Sequence, residues 1–300
     1  MSNESAVIAR HRAFSFARVF AITANTLTEL TRLKVFYFLL IFALLLIGSS
    51  IFMAQFTFQQ EFQILKDISL GAMSIFTSLL AIVATARLIP QDIEDRTIYS
   101  ILAKPVPRFE YLLGKIAGVL LLLAISTLVM SAVFLFILYA REQAVLHEAL
   151  RQMSAAPREQ VADALRAIRS SALNIDIFPG IMVIYLKACL LAALTLFVST
   201  FATTNIFTVV VMVFVYFIGH LQATAREYWL HEHSSGLITR VFLAIGSLLF
   251  PDLQVFNLVD DIVAGAAISL GLFLKTAVLG IFYTTIYTLL AAFVFYGKEL

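Results

Sequence analysis

The chain has 300 residues, 61% of them hydrophobic and only 13% charged, with a mean hydropathy of +0.94. Soluble domains carry about a quarter charged residues, so this composition excludes an ordinary soluble protein and makes lipid the solvent for much of the surface. A net charge of +2 gives no reason to expect nucleic acid, and the single Cys189 excludes an intrachain disulfide.

No secretory signal is read in the first 34 residues, which are polar to amphipathic. Within 10–34, Phe16, Val19, Phe20, Thr23, Leu27 and Leu30 recur at helical spacing, with Arg12, Ser15, Asn25, Glu29 and Arg32 mostly on other faces. That pattern predicts an amphipathic helix lying in the bilayer interface. Apolar stretches at about 35–54, 68–89, 111–140, 180–202, 205–223 and 274–296 predict six spanning helices, each long enough for a hydrocarbon core of ~30 Å. The third is longer than a crossing needs and is expected to tilt or project. Helices satisfy their own backbone in lipid, so the expected fold class is an all-α polytopic membrane protein, a single transmembrane domain over 1–300.

Lysine and arginine set the orientation. Arg10, Arg12, Arg18, Arg32 and Lys34 precede the first span, and Arg87, Arg96, Lys104, Arg108 and Lys115 follow the second, whereas the 55–67 loop holds only Lys66. The positive-inside tendency puts the N-terminus, the 87–111 loop and, after six spans, the C-terminus in the cytoplasm of a cell (inner) membrane. The 141–178 segment then lies outside, its arginines balanced by Glu142, Glu148, Glu159, Asp163 and Asp176. Two amphipathic helices are expected there, the second opening at Pro157 with Val161, Ala164, Leu165 and Ile168 on one side. This insert is either a cap that meets a substrate or partner, or a hairpin packed on the bundle. In 237–270, an apolar run of about 14 residues ends at Pro251-Asp252, and Gly265 interrupts the next. Such half-segments suit re-entrant or interfacial helices before the last span. Full crossing by 237–256 is the alternative, with seven spans and an external C-terminus.

The most ordered polar stretch runs from Gln91 to Lys115. Asp92 and Glu94 open it, Ile98, Ile101 and Leu102 follow at helical spacing, and Pro105-Val106-Pro107-Arg108 closes it before Gly114-Lys115. An apolar face beside charges at a membrane surface needs a cover. The segment resembles permeases of the ABC-2 type, which carry Glu-x-Glu-x-Gly-Thr, a short hydrophobic helix, Pro-x-x-Arg and a downstream Gly-Lys. Asp92, Glu94, Thr97, Pro105, Arg108, Gly114 and Lys115 occupy those places, with Arg96 where the pattern has Gly. Phe250-Pro251, Phe256-Asn257 and the final Tyr296-Gly297-Lys298 resemble the C-terminal part of the same family. The resemblance implies a membrane-spanning exporter subunit that pairs with a second copy, most simply as a homodimer, and with two cytoplasmic ATPases. It also implies that a coupling helix made by Asp92, Glu94, Thr97, Ile98, Ile101, Leu102, Pro105 and Arg108 docks on each ATPase. ATP and Mg would be bound by the ATPase, leaving this chain with no cofactor of its own.

Other chemistry finds little support. Gly114-Lys115 is not a P-loop, because Phe109 stands where the first Gly is needed and Ile116 where Ser or Thr is needed. His231-Glu232-His233 diverge on a helix and read as a solvated turn rather than metal ligands. No nucleophile and base can be placed together, so an enzyme is not expected. Lys187 lies roughly 10–12 Å along the fourth span from Pro179. It either snorkels or pairs structurally, which the shallow depth favours, or makes an intramembrane substrate contact. His220 and Lys275 read as interface residues, and Thr203-Thr204-Asn205 as a tight cytoplasmic turn with a minor docking role. Two rival functions remain: a mechanical transmitter acting on an external partner through 141–178, and an ion-coupled secondary carrier. The carrier is disfavoured because the spans are nearly free of acidic residues.

Overall fold

The computed structural model describes residues 14–55, 61–94, 107–153, 157–231, 251–266 and 268–297, without the side chains of 53–55 and 223–231. Among these residues the protein is all helical, in the order α1 (Phe16–Thr31), α2 (Lys34–Gln55), α3 (Glu61–Ala86), α4 (Leu88–Glu94), α5 (Arg108–Gln152), α6 (Arg158–Ala172), α7 (Ile177–Phe201), α8 (Asn205–His231), α9 (Val259–Val263) and α10 (Leu270–Gly297). A single 3-10 turn, Leu253–Phe256, precedes α9. Among the described residues, six helical stretches are long and apolar enough to cross a membrane: Lys34–Phe52, Glu61–Glu94, Arg108–Gln152, Arg158–Phe201, Asn205–Gln222 and Leu270–Gly297. They overlie the six spans read from the sequence.

Prolines set several boundaries. Pro90 has no N–H, and its ring collides with a helical carbonyl four residues back, at Ala86, where α3 ends; in the first turn of α4 it is harmless. Pro107 and Pro157 stand immediately before α5 and α6. After α9 the chain turns at Gly265, whose φ of +74° is a left-handed conformation open to glycine.

α3 and α7 form the centre, their spanning windows 72% and 78% buried, while those of α2, α8 and α10 are 22% buried and show their apolar faces outward. α7 packs along α10 and α3, and α2 along α3. The run Ala188, Leu190, Leu191, Ala192, Ala193 on α7 is fully enclosed, the alanines letting neighbouring backbones approach.

α5 is one helix of 45 residues, about 67 Å long and more than twice the hydrocarbon thickness. Two separate amphipathic helices were expected in 141–178, but the first is simply the continuation of α5. Residues 141–152 are rich in Ala, Leu, Glu, Gln and Arg, strong helix formers that give the helix no reason to stop at the membrane edge. α6 folds back after Pro157, and its half-buried Val161, Ala164, Leu165 and Ile168 face inward. Two polar contacts hold this end: Lys66 Nζ donates to Ser171 O at 2.7 Å, and Arg141 donates to Glu61 at 2.7 and 3.1 Å.

α1, the start of α5 and the end of α10 meet at one end of the bundle, here the basal end; Arg108 Nη1 donates to Phe295 O and Tyr296 O at 3.3 and 2.9 Å. Residues 251–263 belong to the opposite, distal end, where three side chains enter glycine gaps. A Cβ at Gly219 would fall 2.7 Å from Leu253, one at Gly280 3.1 Å from Phe256, and one at Gly180 2.1 Å from Ile262. α10 returns to the basal end, and the described residues hold six candidate crossings. The apolar run 237–250 lies outside the described residues.

Candidate functional site

The basal end is built on a close helix crossing. α5 carries Gly114 and Gly118 four residues apart, and α1 lies directly over them. A Cβ at Gly114 would stand 2.6 Å from Ile22 Cβ, and one at Gly118 2.7 Å from Thr26 Cβ. This small-xxx-small spacing lets two backbones approach, and Thr23 Oγ1 uses the proximity to donate to Gly114 O at 3.2 Å. The buried face of α1 is therefore Thr23, Thr26 and Leu30, while Phe16 and Phe20 point away at 81% and 72% exposure. The single apolar face expected from the sequence is thus two faces, one against protein and one outward.

Charges close the same crossing. Glu110, buried in the first turn of α5, accepts from Arg18 Nε at 2.6 Å, from Arg18 Nη2 at 2.8 Å and from the Ser15 backbone N–H at 3.0 Å. One turn further, Lys115 Nζ lies 2.7 Å from Asp92 Oδ2 and 3.5 Å from Glu29 Oε2, and 5.7 Å from the Tyr111 ring centroid. Tyr111 Oη donates to the same Asp92 oxygen. Asp92 and Lys115 are both buried; a carboxylate in such a place is stable only with a cation and a donor beside it. Tyr111 also stacks on Phe295 with centroids 6.0 Å apart, so α10 joins the cluster that already unites α1, α4 and α5.

The sequence-derived site residues divide. Asp92 is internal, and Arg108 reaches the last carbonyls of α10, where a cation complements the helix dipole. Glu94 is exposed at the end of α4. Thr97, Ile98, Ile101, Leu102 and Pro105 lie outside the described residues, as do the side chains of His231, Glu232 and His233. Arg18, Glu29, Glu110, Tyr111 and Gly118 are residues of this cluster that the sequence reading did not select. The legible signal was Gly114-x-x-x-Gly118, with Tyr111 and Lys115 one helical turn apart on the same face.

Within the bundle, Lys187 does not snorkel. It is 2% exposed, donates to Ser74 Oγ on α3, and has its Nζ 6.0 Å from the Tyr216 ring centroid on α8. His220, one turn beyond Tyr216, has Nδ1 2.9 Å from Tyr216 O and its ring centroid 4.3 Å from that of Tyr216. Lys275 is exposed. At the turn before α8, Thr204 Oγ1 accepts from Phe207 N at 3.3 Å, while Asn205 Oδ1 is enclosed without a partner among the described residues. Among the described residues, no three His, Cys, Asp or Glu side chains gather as metal ligands.

A family model described as "ABC-2 family transporter protein" matches residues 28–153, which include α2 to α5, Glu29 and the 92–108 loop. No match emerges among curated proteins. The glycine crossing at Gly114 and Gly118, the buried Asp92–Lys115 pair and the flanks of the polar loop fall largely inside the matched region, so residues 28–153 are similar to the ABC-2 family of transporter proteins.

Proposed function

We propose that this chain is the permease subunit of an ATP-driven exporter, coupling hydrolysis by a separate ATPase subunit to transport. The observation that carries the reading is the anchoring of both flanks of 95–106. Asp92 is tied to Lys115 and Tyr111 of α5, and through Lys115 to Glu29 of α1, while Arg108 is tied to the end of α10. A load on the loop thus reaches three other helices through these contacts. In this reading the loop faces the cytoplasm with both termini, and α1 lies in the membrane interface with Phe16 and Phe20 toward lipid. Ile98, Ile101 and Leu102 form the apolar face of a coupling helix seated in an ATPase cleft, with Glu94, Thr97 and Pro105 at its ends. Two copies of this chain pair with two ATPases that bind ATP and Mg, and ATPase closure rocks the membrane halves as rigid bodies.

The test is a mild-detergent pull-down from the native host, with mass spectrometry and an ATPase assay on the eluate. A stoichiometric P-loop subunit is expected, and Leu102→Asp is expected to lose it while remaining in the membrane. A cross-linked preparation without ATPase, or normal association of Leu102→Asp, would overturn the coupling role.

A second reading is mechanical transmission to a partner beyond the distal end. The clamped extension of α5 supports it, since Arg141–Glu61 and Lys66–Ser171 brace that segment. Cross-linking from Leu150→Cys, at a 47% exposed position, would capture such a partner if this reading holds. An ion-coupled carrier ranks third: among the described residues the buried carboxylates Asp92, Glu110 and Glu142 sit toward the helix ends rather than mid-span.

A further inference from the structure

We infer that Lys187 is the contact for an anionic group, a phosphate or carboxylate borne on an amphiphile, and that the Leu253–Phe256 turn is the cover over it. An ammonium has three donors. Here one goes to Ser74 Oγ and the others find no acceptor among the described residues, which also place no carboxylate within ion-pair distance. The other two buried lysines are matched, Lys115 by Asp92 and Lys66 by the carbonyl end of α6. A cation enclosed in hydrocarbon surroundings without an anion is costly, and such residues mark sites of passage. Hydroxyl and imidazole groups gather beside it: Ser74 and buried Ser78 one turn apart on α3, and Tyr216 and His220 one turn apart on α8.

The turn packs on α7, α8 and α10. Leu253 enters the gap at Gly219, the residue before His220, and Phe256 enters the gap at Gly280, where the Cβ of Leu186, the residue before Lys187, lies 3.3 Å from the Cβ position. The turn has four residues, with Asp252 Oδ1 accepting from Gln254 N at 3.1 Å. It can lift without unwinding a spanning helix. Its apolar walls favour a headgroup attached to an acyl chain over a hydrated free ion.

The inference takes its use from the transport reading, but binding itself needs no ATPase, so the two fail separately. Purified protein in detergent is titrated with dihexanoyl phosphatidic acid, dihexanoyl phosphatidylcholine and inorganic phosphate, each followed by thermal shift. Wild type is expected to prefer the acid, and Lys187→Met to lose about tenfold to a hundredfold of that affinity, the worth of one charge-assisted contact. Lys187→Arg is expected to retain it. A response to phosphate as strong as to phosphatidic acid would support the anion site and assign it to a free ion. Equal response of wild type to acid and choline lipids, or undiminished preference in a folded Lys187→Met, would overturn the inference. Loss of the ATPase in the pull-down with this preference intact would sink only the coupling reading.

Discussion

Gly118→Ala is the sharpest probe of the basal architecture. Its new methyl would stand 2.7 Å from Thr26 Cβ, 2.9 Å from Thr26 Cγ2 and 3.1 Å from Thr23 O. Carbon atoms prefer about 3.5–4.0 Å, so α1 must retreat by about 1 Å. Overpacking of this kind costs about 1–3 kcal/mol. Replacing glycine by alanine inside a helix also returns about 1 kcal/mol of propensity, which would mask part of the loss. Gly71→Ala on α3 removes that ambiguity, because a Cβ there meets nothing within 4 Å. The difference between the two variants isolates the crossing and should reach about 1–3 kcal/mol, or about 2–6 °C in melting temperature. Melting of the purified variants by intrinsic fluorescence reads it. Equal melting temperatures for Gly118→Ala and Gly71→Ala would refute the close packing of α1 on α5.

Three further outcomes follow from the same contacts. Tyr111→Phe removes a donor from buried Asp92 and should cost about 1–3 kcal/mol, measured as a fall in melting temperature; no change would mean that the hydroxyl contributes nothing there. Thr26→Val should leave stability unchanged or raise it, since Thr26 Oγ1 is enclosed without a partner among the described residues; a drop beyond about 1 kcal/mol would reveal an unseen acceptor or donor. Lys66→Met should free the end of α6 from α3, making Arg169 more susceptible to trypsin in limited proteolysis, whereas an unchanged digestion rate would show that packing alone holds the hairpin.

Hydropathy made the six crossings legible, because a run of twenty apolar residues has one stable use in lipid. It says less about which face of each helix meets which neighbour. Arg18 and Glu110 are separated by 92 positions, and no periodicity within either segment indicates their pairing. The loop flanks Asp92 and Arg108 were found from motif spacing, yet their partners, Lys115 and the end of α10, depend on tertiary packing. Lys187 shows the limit most clearly: depth along a helix suggests snorkelling, but the helix faces inward, and only the surrounding bundle decides that. The continuity of α5 past the membrane was missed because charge was read as a boundary, although the residue types there favour helix.

That continuity turns α5 into a rigid arm. With its foot held by Gly114, Gly118, Glu110 and Lys115, the remaining length to Gln152 is about 51 Å, and a tilt of about 5° would sweep its far tip through about 4 Å. The Arg141–Glu61 and Lys66–Ser171 contacts near the far end are therefore the ones that any such tilt would load first.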